Sequence, residues 1–123
     1  MFKRNGVINM GKERYSILFS SMTGNTKELA DAIREILPEK TLDYFGLCKD
    51  ADPQSEILYI GFWTDKGTAD EATTTLLKSL RNKKIFLFGT AGFGGSEEYY
   101  QKVLHNVREN IDPSNQIVVE YLF

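Results

Sequence analysis

Residues 15–26 read YSILFSSMTGNT, an apolar run that passes directly into a polar stretch around a glycine. The apolar run is too short for a helix and contains the residue types of a buried strand. From Thr26 onward, apolar residues recur at helical spacing until Pro38 ends the pattern. This part of the chain is therefore predicted to form a strand, a polar loop and a helix.

The same alternation of short apolar runs and amphipathic segments continues along the chain. Strands are predicted at 15–20, 41–46, 57–63, 84–89 and 116–123, helices at 26–37, 69–82 and 97–110, and polar loops at 47–56 and 64–70. Strands that are apolar throughout and separated by helices favour a parallel sheet covered on both faces. The predicted fold class is α/β: one domain at 14–123 with a three-layer, doubly wound, five-stranded parallel sheet, after an N-terminal leader at 1–13 that need not be ordered.

Composition and the lone cysteine exclude several classes of function. Fifteen basic and seventeen acidic residues give a net charge of -2, without the basic surplus that a nucleic-acid surface needs. No apolar run approaches the roughly 20 residues of a membrane-spanning helix, and the lone thiol of Cys48 is compatible with a reducing cytoplasm. Cys48 and the only histidine, His105, have no partners at ligand or catalytic spacing. We therefore expect a cytoplasmic protein with no metal site, no catalytic residues of its own, and no nucleic-acid or membrane partner.

The loops at the carboxyl ends of the predicted strands carry the residues suited to binding, and ligands bind at that edge of such sheets. In the first loop, 20–26, Gly24 permits a tight turn, and hydroxyl and amide groups can donate to a phosphate at the helix N-terminus. A plain Ser/Thr-rich helix cap explains the same residues equally well. The loop matches neither the nucleotide P-loop nor the G-x-G-x-x-G dinucleotide pattern.

Aromatic residues lie in the other two loops of this edge, Trp63 at the end of its strand and Phe93 in a glycine-rich segment. A single aromatic residue at a strand end is most often ordinary packing. Two of them beside a phosphate cradle indicate a planar ring held between aromatic faces. A phosphate at one end and a flat ring at the other describe a mononucleotide-like cofactor.

These three loops resemble those of the flavodoxin family. The family's phosphate-loop pattern, T/S-x-T-G-x-T, is met by Ser21, Thr23, Gly24 and Thr26; GFWTD at 61–65 is similar to its second flavin loop, and FGTAGFGGSEEYY at 88–100 more loosely to its third. The resemblance implies strand order 2-1-3-4-5, noncovalent FMN, and a role for Trp63 and Phe93, with Tyr99 as an alternative, on the two ring faces. The implied FMN contacts are Ser20, Ser21, Met22, Thr23, Gly24, Asn25, Thr26, Phe62, Trp63, Thr64, Gly67, Thr90, Ala91, Gly92, Phe93 and Gly94.

The sequence departs from the family in three respects. The family has a helix after its fifth strand, whereas this sequence stops at Phe123, which would leave an apolar face exposed. Either the sequence is truncated, or another chain covers this face, or the sheet is covered in an unusual way; we expect a homodimer or a higher association through it. Thr64 stands where the family has a residue that tolerates positive φ, which would make one-electron-reduced flavin less stable unless Gly67 serves instead. The chain is nearly neutral, although a group of acidic residues at the predicted rim could dock a basic partner or could simply be helix starts: Asp65, Asp70, Glu71, Glu97 and Glu98.

The resemblance implies an FMN-binding protein that shuttles electrons between a reductase and an acceptor protein. Two alternatives remain open. One is a small FMN-dependent NAD(P)H or quinone reductase, which would oxidise the nicotinamide without any partner protein. The other is a binding module of the same fold that does not bind FMN.

Overall fold

The computed structural model describes residues 13–92 and 95–123. The predicted leader at 1–13 lies almost entirely outside these residues and stays a prediction. The elements, in chain order, are β1 (Tyr15–Phe19), α1 (Asn25–Ile36), β2 (Leu42–Leu47), β3 (Ile57–Asp65), β4 (Thr68–Ala69), α2 (Glu71–Ser79), β5 (Lys84–Thr90), α3 (Glu97–Arg108) and β6 (Gln116–Leu122).

Five of the strands form one parallel sheet in the order β2-β1-β3-β5-β6. The two-residue strand β4 pairs with β3 alone, in the antiparallel sense. Without β4 the order is the expected 2-1-3-4-5, so the predicted fold class is confirmed. In this arrangement the loops after β1, β3 and β5 meet at the carboxyl edge of the sheet.

The segment 64–70, predicted to be a loop, is instead part of a β-hairpin. Strand β3 continues to Asp65, and Thr64 and Asp65 pair with Ala69 and Thr68. The two-residue turn between them uses Lys66 at φ 54° and Gly67 at φ 84°. Two residues at positive φ are what a tight hairpin needs to match the twist of its strands. The predicted loop is therefore wrong, because the turn is shorter than the polar stretch that contains it.

Helices cover the two faces of the sheet unequally. Helices α2 and α3 pack on one face over a core in which Leu58, Leu77 and Val107 are fully buried. Helix α1 packs on the other face, against Ile17 and Phe19 of β1. Because side chains from both faces are buried, most residues in the central strands β1, β3 and β5 are apolar, as the sequence indicated.

Two glycine–phenylalanine pairs hold β3 and β5 together near their carboxyl ends. The register places Gly61 opposite Phe88 and Phe62 opposite Gly89. Each ring lies over the glycine of the other strand, on opposite faces of the sheet, and leaves no room for a Cβ at either glycine. Each glycine is therefore required by packing, and the pairs position the strand ends from which the second and third loops begin.

The α1 face carries a groove that is lined only by apolar residues. The groove has a volume of about 400 Å³ and lies between α1 and β6. On its β6 side, Tyr121 and Phe123 are more than half exposed, and their rings stack with centroids 4.9 Å apart. The expected exposed apolar face is thus present in the described part of the chain, with the following lining: Leu29, Ala32, Ile33, Ile36, Tyr59, Phe86, Leu87, Phe88, Val119, Tyr121 and Phe123.

Candidate functional site

The first loop turns sharply between β1 and α1. Gly24 adopts φ 98°, a conformation that side chains rarely allow. The hydroxyl oxygen of Ser21 accepts hydrogen bonds from the backbone N–H groups of Gly24 at 3.0 Å and Lys27 at 3.4 Å. Because this oxygen acts as an acceptor towards the loop, the hydroxyl proton of Ser21 remains available to a ligand. Met22, Thr23 and Asn25 are exposed on the same loop.

The start of α1 can bind an anion. The backbone N–H groups of Asn25 and Thr26 have no hydrogen-bond partner among the described residues. A Cβ placed on Gly24 would find no atom of the described residues within 4 Å, so these residues leave room for a ligand on this side of the turn. Residues 20–26 contain no carboxylate that would repel an anion. Free N–H groups, an open approach and the helix dipole together fit a phosphate group.

The side chain of Thr26 makes hydrogen bonds inside the protein and does not face solvent. It is buried, its hydroxyl lies 2.9 Å from that of Thr90, and it is 3.4 Å from the carbonyl oxygen of Phe62. The backbone N–H of Ser20 donates to the carbonyl of Gly61 at 2.9 Å. These bonds join the first loop to the ends of β3 and β5, so Thr26 can offer a ligand only its backbone.

Trp63 lies next to the first loop. It pairs with Thr90 across β3 and β5, and paired residues share one face of a sheet. The Thr90 hydroxyl contacts Thr26, so the half-buried indole lies on the side of the sheet from which α1 begins. The neighbouring Phe62 points to the opposite face, where it is fully buried over Gly89, and only its backbone is accessible to a ligand.

Hydrogen bonds to the backbone fix the rest of the second loop. Thr64 lies in the hairpin, and its buried hydroxyl has no partner among the described residues. The carbonyl of Gly67, at the tip, accepts a hydrogen bond from the Asn106 side chain of α3 at 2.9 Å. The hairpin is thus anchored at its base and at its tip. The expected effect of Thr64 and Gly67 on reduced flavin stays a prediction.

The third loop is described only in part. Thr90 and Ala91 are half-buried and Gly92 is exposed, while Phe93 and Gly94 lie outside the described residues. The backbone N–H of Ala91 donates to the carbonyl of Phe123 at 3.0 Å, so this implied flavin contact already has a partner within the chain. Tyr99, the alternative to Phe93, is 39% exposed in the first turns of α3.

Asp70 does not belong to the exposed acidic rim that was predicted from the sequence. It is 2% exposed and is the N-cap of α2. The spacing of Asp70 and Thr73 was the available signal, because an aspartate three residues before a helical N–H is typical of a cap. Glu71, Glu97 and Glu98 are exposed as expected, and Asp65 is partly exposed on the hairpin.

Two candidate reactive groups remain, Cys48 and His105, and the thiol of Cys48 is buried beneath the strand ends, 4.0 Å from the carbonyl oxygen of Gly61. Burial raises the pKa of the Cys48 thiol to about 12, and the nearby charge of Asp70 adds to the effect. His105 is exposed on α3, where its Nε2 lies 3.4 Å from Glu109. In residues 13–92 and 95–123 no group of three or more His, Cys, Asp or Glu side chains could hold a metal ion. No helix in that part of the chain has the length and apolar character needed to cross a membrane.

Comparison with solved structures gives the same fold. A flavoprotein from Lactobacillus acidophilus NCFM, crystallised in complex with FMN, superposes with a TM-score of 0.65. The match covers 89% of this chain and 93% of that protein, at 17% identity. At this level of identity the likeness concerns the fold alone.

Comparison of sequences gives the family. The flavodoxin-like domain-containing protein BilS of Clostridium symbiosum (strain WAL-14163) is 41% identical over 109 residues, covering 74% of this chain and 57% of that protein. BilS of Clostridioides difficile (strain CD3) is 34% identical over 110 residues, covering 86% and 62%. The chain therefore spans less than two thirds of the length of these relatives. The model of the flavodoxin domain family matches residues 16–123, and the chain belongs to that family.

Proposed function

We propose that this protein binds FMN noncovalently and carries electrons between a reductase and an acceptor protein. The observation that carries the proposal is the open anion site at the start of α1, which combines the Ser21 hydroxyl with the free N–H groups of Asn25 and Thr26. Trp63 lies beside this site, so a phosphate and a planar ring can be held together. The FMN bound to the Lactobacillus acidophilus flavoprotein of the same fold supports the proposal.

Each loop has a separate task in this proposal. Residues 20–26 hold the phosphate, Trp63 packs against one face of the ring, and Phe93 or Tyr99 packs against the other. Backbone groups of the third loop meet the polar edge of the ring, and Phe62, Thr64 and Gly67 contribute through the backbone of the second loop. FMN, when bound, supplies the redox chemistry, while these residues orient it and exclude water from one face.

The partner in this proposal is a protein with a basic surface. Glu71, Glu97 and Glu98 are exposed in the first turns of α2 and α3, at the carboxyl edge of the sheet. Acidic residues around the ring edge would steer a positively charged partner towards it. This attraction would weaken at high salt, because ions screen exposed charges. The cytoplasmic location expected from the sequence stays a prediction.

A second copy of the chain is our proposed occupant of the apolar groove. Tyr121 and Phe123 form a ridge that is the β6 wall of the groove. A two-fold axis that relates two copies of the chain would place the ridge of each copy in the groove of the other. The same surface of each copy then contributes to the interface, as in other symmetric dimers. Burial of these side chains would remove a contiguous apolar surface from water.

The phosphate site is tested by comparing Ser21→Ala with Ser79→Ala, which removes the same hydroxyl group at an exposed position of α2 outside the candidate site. Apoprotein is titrated with FMN and with riboflavin, which lacks the phosphate, and flavin fluorescence is followed. Loss of a hydrogen bond to a charged group costs about 1.5–3 kcal/mol, so Ser21→Ala should weaken FMN binding about tenfold or more. Its effect on riboflavin, and the effect of Ser79→Ala on either ligand, should be less than about twofold.

Other outcomes would lead to different functions. Protein that binds neither flavin would contradict the electron-carrier proposal and favour the binding module without FMN. Protein that binds FMN and oxidises NAD(P)H at a rate independent of any added protein would favour the small reductase. An equal loss for FMN and riboflavin in Ser21→Ala would show that the first loop does not hold the phosphate.

A further inference from the structure

Asp70 makes more contacts than a helix cap requires. One carboxylate oxygen, Oδ2, accepts from the backbone N–H of Thr73 at 3.1 Å, which is the capping bond of α2. The other, Oδ1, accepts from the Thr73 hydroxyl at 2.9 Å and from the backbone N–H of Trp63 at 3.2 Å. The bond to Trp63 leaves α2 and reaches β3, the first strand of the hairpin, so it has no part in capping.

The main chain of Asp70 contacts the same tryptophan. Its backbone N–H donates to the carbonyl oxygen of Trp63 at 3.0 Å. Asp70 therefore engages both hydrogen-bonding groups of the Trp63 backbone, one through its main chain and one through its side chain. With Asp70 2% exposed, neither bond competes strongly with water.

These contacts fix the tryptophan that lies beside the first loop. Strand β3 lies against β5 at this point, where Trp63 is in register with Thr90, and on its other side Asp70 binds the Trp63 backbone. We propose that Asp70 is a positioning residue, which holds Trp63 so that its indole can pack against the ring of a planar ligand bound at the first loop. The part of this inference that concerns the ligand rests on the proposed function; the part that concerns Trp63 does not.

Three substitutions separate this role from capping. Asp70→Ser keeps a good capping oxygen for Thr73, but its side chain is one atom shorter and cannot also reach Trp63. Asp70→Asn keeps the side-chain length and one acceptor oxygen, which can still accept from the N–H of Trp63 at the expense of the capping bond, so it is the conservative variant expected to restore the position of Trp63. Thr73→Val removes the hydroxyl that donates to the same carboxylate and leaves the N–H of Trp63 bound. Far-UV circular dichroism and thermal unfolding confirm that each apoprotein is folded.

Trp63 is the only tryptophan in the sequence, so tryptophan fluorescence reports the environment of this one side chain even in the absence of a ligand. In apoprotein, Asp70→Ser should increase the acrylamide quenching constant of Trp63 about twofold, while Asp70→Asn and Thr73→Val should leave it near the native value. In flavin titrations, Asp70→Ser should weaken FMN and riboflavin binding by the same factor, about three- to tenfold, because it acts on the ring and not on the phosphate. This pattern is the opposite of the one expected for Ser21→Ala.

The outcomes distinguish the inference from the proposed function. Native protein that binds no flavin, together with increased quenching in Asp70→Ser, would contradict the function and leave the positioning of Trp63 supported. Native protein that binds FMN, with unchanged quenching and affinity in folded Asp70→Ser, would overturn the inference. Equal effects of Asp70→Ser and Thr73→Val on quenching would also overturn it, because they would point to general loosening of α2.

Discussion

At the scale of single residues, burial determines how reactive a side chain of this protein is. The Cys48 thiol is 2% exposed at the end of β2 and packs with the core beneath α2 and α3. Its pKa is raised from 9.0 to about 12, mainly because burial disfavours the thiolate. Thiolates are the reactive form of cysteine, so this side chain acts as a small apolar residue.

We expect the native protein to react with a thiol reagent at pH 8 at least about 100-fold more slowly than the guanidinium-unfolded protein, because both access and thiolate formation are suppressed. Since the pKa is raised in the folded state, the contribution of the thiol to stability is fully present below about pH 9. It is lost as the pH rises towards 12. The measurement is the rate of labelling in native and unfolded samples, and rapid native labelling would contradict the buried position.

At the scale of elements, the pairing of β3 with β5 depends on two glycines that accept a ring from the other strand. The ring of Phe88 covers Gly61 and the ring of Phe62 covers Gly89. Because protein interiors are close-packed, an added methyl group at either glycine must displace a ring or separate the strands. These strand ends carry Trp63 and Thr90, so the packing also supports the candidate site.

Gly61→Ala should lower the free energy of unfolding by about 2 kcal/mol, since overpacking of a core costs about 1–3 kcal/mol. Gly92→Ala is the matched control, because a Cβ there meets no atom of the described residues within 4 Å. Its effect should stay within about 0.5 kcal/mol. Urea unfolding measures both, and in a Phe88→Ala background the added cost of Gly61→Ala should fall by about 1 kcal/mol or more. Equal costs of Gly61→Ala in both backgrounds would exclude the ring as the cause.

At the scale of the whole molecule, the two faces of the sheet differ in their cover. Helices α2 and α3 pack on one face, whereas on the other the groove between α1 and β6 leaves Val119, Tyr121 and Phe123 exposed. Exposed apolar surface of this kind usually marks an interface. The proposed dimer follows from the ridge and groove on this face and is independent of flavin binding.

We expect native protein to sediment at about twice 14.0 kDa and to dissociate on dilution, because a dimer obeys mass action. The double variant Tyr121→Ser, Phe123→Ser should be monomeric over the same concentrations. Tyr44→Ser, which removes another exposed aromatic ring at β2, should leave the dimer intact. Analytical ultracentrifugation distinguishes these states. A native protein that is monomeric throughout would contradict a second copy as the occupant of the groove.

The sequence by itself determined the type and order of the elements, because these depend on local patterns. Apolar runs such as ILYIGFW and the helical spacing after Thr26 are properties of a few neighbouring residues. Alternating strands and helices then require a parallel sheet, and a parallel sheet places the three loops at one edge. The first loop could be identified for the same reason, since its glycine and hydroxyl residues are contiguous.

The tertiary structure alone decided what each side chain of that edge does. Thr26 and Asp70 look like exposed polar residues in the sequence, yet Thr26 bonds Thr90, 64 positions away, and Asp70 bonds Trp63 across a hairpin. The hairpin was not predicted because its two-residue turn lies inside a longer polar stretch. Positive φ values at Lys66 and Gly67 define the turn, and composition does not reveal them. Such contacts depend on the register of segments distant in the chain, which no local pattern contains, so only the folded molecule shows which groups remain free for a ligand.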